Sequence, residues 1–156
     1  MQTYDSTNRE LTIKFTQSNN LNIPLLIPIK FGLLDVLSGK NIFQSPDHSE
    51  LVLLSDMKKS LVIRDIDSVD GKTPNAVISM LRDFSAPIII EMEQTDQQLD
   101  MLARCDTDPF VRHDSLQQLH IRYILNAAKE SKDHFTLNEN YMRLMKYISS
   151  IVLVLC

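Results

Sequence analysis

The stretch "MLRDFSAPIIIEME" (80–93) changes character at its middle. Met80 to Phe84 is charged and tolerant of helix, whereas after Ser85-Ala86-Pro87 come Ile88, Ile89 and Ile90 in a row. Proline pushes the residue before it toward extended geometry, and β-branched side chains suit a pleated surface. The pattern predicts that the chain passes into a strand over 86–93, with Phe84 as a core anchor and Ile88 and Ile90 packing inward.

Upstream of this stretch the hydrophobic period is two. In "LTIKFT" (11–16), Leu11, Ile13 and Phe15 share one face, and Thr12, Lys14 and Thr16 share the other. Ile23, Leu25, Ile27, Ile29 and Phe31 repeat the alternation with Pro24 and Pro28 on the opposite face. Each proline removes a ladder donor, so this strand is expected at an edge or a bulge. Further β-rich runs are "LVLLS" (51–55) and "SLVIRDI" (60–66). Short strands without an intervening helical pattern point to an antiparallel sandwich.

Downstream the period becomes helical. Thr95 with Gln98 forms a capping-box signature, which lets Leu99 and Leu102 face inward on a short helix. Asp108-Pro109 reads as an N-cap followed by a first-turn proline. That second helix is expected to run to about Lys129, with Leu116, Leu119, Tyr123 and Ala127 on one stripe. Ile121, Ile124, Leu125 and Ala128 widen the stripe, as on a helix covered on more than one side. Thr136 with Glu139 opens a third helix, with Tyr141, Leu144, Met145, Ile148 and Val152 along its apolar face. The fold class is therefore α+β in sequence order, a sandwich over 1–94 followed by helices over 95–156.

Composition narrows the function. Sixteen Lys and Arg against twenty Asp and Glu give a net charge of -4, with no basic excess for a nucleic-acid backbone. The two cysteines, Cys105 and Cys156, are too few for a disulfide framework, and a reducing, cytoplasmic setting is expected. The N-terminus lacks the basic start and apolar core of a signal peptide. The apolar run Ile151 to Cys156 is far shorter than the roughly 20 residues that cross a bilayer, so no membrane partner is expected.

No chemical motif holds up under its own geometry. "DIDSVDGKT" (65–73) has Val69, Asp70 and Ala76 where a calcium loop needs a ligand, glycine and glutamate. It reads instead as a solvated turn with Asp70-Gly71 at its tip. "GKT" (71–73) lacks the earlier glycine of a phosphate loop, because position 66 is Ile. His113 and His120 share a helix face but lack the third ligand that zinc requires. There is no H-E-x-x-H and no G-x-S-x-G. The expectation is that the chain contains no catalytic, cofactor-binding or metal-binding residues.

Two segments are nevertheless more specific than their physics demands. "LRDFSAPIIIE" (81–91), followed by "DQQL" (96–99), and "DTDPFVRHDSLQQL" (106–119) together resemble the bacterial-type aminopeptidase N (alanyl aminopeptidase) zinc metallopeptidases. In that family L-R-x-F-S-A-P-V ends an Ig-like sandwich domain, and D-S-D-P-F-N-R-W-E-A-x-Q opens a helix of the C-terminal helical domain. The resemblance covers about residues 8 to 130. It implies an Ig-like sandwich over 1–94 and the first helices of an incomplete helical domain over 95–156. His113 stands where the family has tryptophan, and Ser115-Leu116 where it has two small residues.

The family's zinc ligands, its G-A-M-E-N motif and its catalytic tyrosine lie upstream of the sandwich, and none of those motifs occurs here. Zinc, which acts in the family as Lewis acid and water activator, has no ligand set to carry over. The resemblance thus implies a non-catalytic, domain-spacing part of an enzyme that removes N-terminal amino acids from peptides. Its expected partner is the catalytic domain of an aminopeptidase. The uncapped ending "YISSIVLVLC" (147–156) suggests a truncated or split reading frame, and its open apolar stripe suggests self-association. Two alternatives are a stand-alone Ig-like binding module and a split-enzyme subunit that docks onto a separate zinc-domain chain.

Overall fold

The computed structural model describes residues 1–130 and residue 142. Six strands come first, β1 (Gln2–Asp5), β2 (Glu10–Thr16), β3 (Ile27–Leu34), β4 (Glu50–Leu54), β5 (Lys58–Ile63) and β6 (Val77–Met80). Two helices follow, α1 (Asp96–Cys105) and α2 (Pro109–Glu130). The strands form two antiparallel three-stranded sheets, ordered β1-β2-β5 and β4-β3-β6. The chain divides into two compact units, Met1–Leu116 and Gln117–Cys156. The first holds the sandwich, α1 and the start of α2.

The sandwich core follows from the alternation. Leu11 and Ile13 of β2 meet Phe31 and Leu33 of β3, Val52 of β4 and Ile78 of β6 in one buried cluster. Phe43 closes the cluster edge-on against Phe31, with ring centroids 5.5 Å apart. β1, which the sequence reading did not anticipate, joins β2 through a tight turn. There the Asp5 carboxylate accepts from the Thr7 and Asn8 amides and from Asn8 Nδ2. Tyr4 ties this hairpin to the loop after β5 through a 2.8 Å bond to the Ile66 carbonyl.

β3 is the middle strand of its sheet, not the edge that its prolines suggest. Pro28 pairs with Leu53 of β4, but the ladder to β6 begins only at Phe31. At Pro28 the other flank of β3 therefore has no strand, and the missing donor leaves no ladder gap. Pro24 lies before the strand starts. At Lys30 the free flank is closed by the Ser85 hydroxyl, which accepts the amide at 2.9 Å.

The segment 86–93 is not a strand, contrary to the sequence reading. The position beside β3 is already filled by "VISM" (77–80), so the isoleucines find no ladder partner among the described residues. They lie outside any regular element, with Ile88 and Ile90 only half-buried. Phe84 is no core anchor either; it is 54% exposed and rests against Phe110 at 5.1 Å between centroids.

The helix starts fall where the capping signals put them. Thr95 Oγ1 accepts from Gln98 N at 3.2 Å while Gln98 Oε1 accepts from Thr95 N at 2.9 Å, completing the reciprocal box. Leu99 and Leu102 are 0% and 1% exposed on the inner face of α1. Leu102 packs with Leu34, Val77 and Val111 in a second buried cluster, which welds α1 and the start of α2 to the strands. At the head of α2, Asp108 Oδ1 accepts from Val111 N at 2.8 Å.

Within the second unit, Ile121, Ile124 and Leu125 of α2 are 57%, 56% and 53% exposed, so among the described residues nothing supplies the covering expected for them. The third helix expected from Thr136 and Glu139, with its stripe from Tyr141 to Val152, lies outside the described residues.

Candidate functional site

The two unusual sequence segments meet at one buried side chain. β6 ends at Met80, and Leu81, Asp83 and Phe84 all take positive φ, at 56°, 56° and 49°. Left-handed backbone costs a non-glycine residue roughly 1–2 kcal/mol, so this tight turn is held by what it positions. It turns Arg82 back over its own strand, where the residue is 1% exposed. The guanidinium lies across the Gly32–Ser79 pair, over the glycine that has no side chain to obstruct it.

Burying a cation is costly unless its donors are met. Here all of them are. Arg82 Nε donates to Ser79 Oγ at 2.9 Å. Nη1 donates to the His48 carbonyl at 2.7 Å, with the Asp47 carbonyl at 3.2 Å and Ser49 Oγ at 3.3 Å also within reach. Nη2 donates to Asn41 Oδ1 at 2.9 Å and to Asp106 Oδ1 at 2.6 Å. A guanidinium has five N–H groups in a fixed fork, and the protein occupies every one. None remains for a ligand.

Asp106 is the countercharge, its side chain 0% exposed against 2% for that of Arg82. It caps α1, its own amide reaching the Leu102 carbonyl at 3.1 Å. Its Oδ1 also accepts from Asp108 N at 2.8 Å, while its buried Oδ2 has no hydrogen-bond partner among the described residues. Asp108 returns the link, with Oδ2 accepting from Asp83 N at 2.8 Å. "LRD" and "DTD" thus interlock twice, Arg82 with Asp106 and Asp83 with Asp108. A reading of the sequence alone can see both segments but has no signal for Gly32, Asn41 or Ser79.

Outside this joint lies a cleft of about 250 Å³ whose lining includes Asp47, His48, Asp83, Thr107 and Asp108. Lys30 bridges its rim, reaching Asp47 Oδ2 at 2.6 Å and Asp83 Oδ2 on the other side. The hydrogen bonds that Lys30 donates, to Asp47 and then to Asp83, raise its pKa, and the bond from Lys30 holds Asp47 below the usual carboxylate range. Ser49 and His48 of the lining are engaged as well. Ser49 Oγ donates to the Asp47 carbonyl, and His48 Nδ1 lies 3.0 Å from the Phe43 carbonyl. No hydroxyl or thiol is hydrogen-bonded to a histidine in the cleft, so it offers no activated nucleophile.

The motifs weighed in the sequence behave as ordinary surface. The Asp70 carboxylate accepts from Lys72 N, Thr73 N and Thr73 Oγ1, closing its own turn. Bonds from the Thr73 and Lys72 amides hold its pKa low. His113 and Cys105 are exposed on α2 and α1. Among the described residues, no three His, Cys, Asp or Glu side chains gather closely enough to hold a metal ion. Nor is any helix among them long and apolar enough to cross a membrane.

With this geometry in view, comparison with known proteins is informative. Residues 1–93 match the family described as a domain of unknown function (DUF3458) with an Ig-like fold. Among solved structures, the chain is similar to Legionella pneumophila aminopeptidase A, crystallised in complex with aspartic acid. The two share 25% identity with a TM-score of 0.75 over 96% of this chain, which spans only 16% of the length of the Legionella protein. The chain belongs to the DUF3458 family of Ig-like domains and is aminopeptidase N-like.

Proposed function

We propose that this chain is a non-catalytic, domain-spacing part of a zinc aminopeptidase that removes N-terminal amino acids from peptides. The Ig-like sandwich is its first domain, to about residue 94. The helices from residue 95 begin a second domain, of which α1 and the start of α2 pack on the sandwich. The observation that carries this reading is the joint at Arg82. A buried arginine with every N–H satisfied by the protein orients strands and helices; it does not bind substrate.

The zinc of the parent chemistry has no place among the described residues, which bring no set of three ligands together. No step through zinc is therefore assigned to this chain. The metal and the residues that activate water belong to the catalytic domain, the partner this reading requires, and the setting is cytoplasmic. A second reading, a split-enzyme subunit docking onto a separate zinc-domain chain, is favoured by the open face of Ile121, Ile124 and Leu125 on α2.

The test is hydrolysis of aminoacyl p-nitroanilides by the purified chain, with and without added zinc. No release above the buffer rate is expected. Turnover that co-elutes with the chain and is abolished by a chelator would overturn the proposal. Restored turnover on adding a separately expressed zinc domain would favour the split-enzyme reading.

A further inference from the structure

We propose that residues 88–93 form a docking edge for a β-strand supplied by a partner. That strand would carry an apolar side chain toward Ile89 and Lys or Arg toward Glu91 and Glu93. The backbone makes the case. Beyond a 2.9 Å bond from Ile88 N to the Ala86 carbonyl, the segment up to Glu93 forms no hydrogen bond among the described residues. Backbone N–H and C=O groups pair almost without exception in folded proteins, with backbone, side chain or water. Among the described residues a run of them is left unpaired here.

The segment is also held ready. At its start Ala86 is 3% exposed and Ser85 Oγ accepts from Lys30 N at 2.9 Å. At its end the Gln94 side chain donates to the Ile78 carbonyl at 3.0 Å, beside the edge strand β6. Between these anchors burial alternates, with Ile88, Ile90 and Met92 half-buried and Pro87, Ile89, Glu91 and Glu93 exposed. Ile89 is 94% exposed. A segment tethered at both ends loses little conformational freedom when it pairs, which favours β-augmentation.

Charge selects the occupant. The outward row ends in Glu91 and Glu93, which form no ion pair among the described residues. A strand with basic residues across from them forms favourable cross-strand pairs. A second copy of this chain, itself of net charge -4, brings further carboxylates to the same edge. The edge exists whatever the catalytic standing of the chain, so failure of the aminopeptidase reading would leave it intact.

The test uses the intact chain and a labelled, capped synthetic peptide centred on Lys-Val-Lys-Val-Val, which sets two Lys and one Val on a single strand face, with the same peptide carrying Glu in place of Lys as control. Fluorescence anisotropy should show binding of the Lys peptide that weakens with salt. Amide exchange across residues 89–93 should slow by about tenfold or more on binding. The Glu91→Lys, Glu93→Lys double variant should prefer the Glu peptide, and Ile89→Thr should weaken binding several-fold without moving the thermal midpoint. Unchanged exchange with either peptide would show a solvated connector and overturn the proposal. Equal binding of both peptides, or protection arising only from concentration-dependent dimerisation, would overturn the choice of partner.

Discussion

Gly32→Ala tests the joint at its tightest point. A Cβ at position 32 would stand 2.6 Å from both Cζ and Nε of Arg82 and 3.0 Å from Nη1. Ordinary carbon contacts lie at about 3.5–4.0 Å, so the guanidinium would have to retreat by about 1 Å. Its bonds to Ser79, His48, Asn41 and Asp106, at 2.6 to 2.9 Å, would stretch past useful length. Overpacking costs about 1–3 kcal/mol, and each hydrogen bond from a charged group is worth about 1.5–3 kcal/mol. With partial relaxation the expected loss is about 3 kcal/mol, or roughly 6–12 °C in Tm for a chain of this size. Urea unfolding followed by circular dichroism measures it. The decisive control is the same substitution in an Arg82→Met, Asp106→Asn background, where the buried ion pair is gone and the thioether can yield. There Gly32→Ala should cost less than about 1 kcal/mol, giving a coupling of about 2 kcal/mol. A neutral Gly32→Ala, or an equal cost in both backgrounds, would refute the reasoning.

Three further outcomes follow from the same geometry. Asp106→Asn alone, which keeps the shape but removes the anion facing Arg82, should lower stability by about 3–5 kcal/mol in the same urea experiment. Thr95→Ala removes the acceptor for Gln98 N in the capping box and should cost about 1 kcal/mol, read from the thermal midpoint. Asp47 and Asp70 are held below the ordinary carboxylate value of 3.8, so their contribution is complete above that pH and is lost as pH falls through their lowered values. Lys30 is raised above 10.5, so its contribution persists up to that pH and fades only as pH rises through the raised value. Midpoints measured against pH should show both limbs, and Asp47→Asn should flatten the acid one.

What the sequence revealed depended on whether the deciding interaction is local. The capping box at Thr95 and the N-cap at Asp108 are written within four residues each, and both helices start where they indicate. The alternation of Leu11, Ile13, Phe31 and Leu33 shows which face is buried, because the period of a strand is a local property. Strand pairing is not local. "IIIE" carries strong β propensity, yet "VISM" (77–80) occupies the place beside β3 and leaves it unpaired. β1 was missed because "QTYD" (2–5) has no alternating core face; only Tyr4 is half-buried there. Pro28 misled in the same way, since a strand can be central over one half and an edge over the other. The Arg82 joint joins five separate stretches of chain through a glycine, and its existence was legible only indirectly. The two segments that resemble the family are the two that supply its ion pair.

Native-state hydrogen exchange most directly tests whether that joint makes sandwich and helix one body. In wild-type chain, the amides of Leu33 in β3, Ser79 in β6 and Ala103 in α1 should open with the same free energy, as parts of one cooperative unit. In Arg82→Met, Ala103 should open well below the strands. If Ala103 already exchanges independently in the wild type, or if Arg82→Met leaves the three amides coupled, the joint does not hold the two parts together.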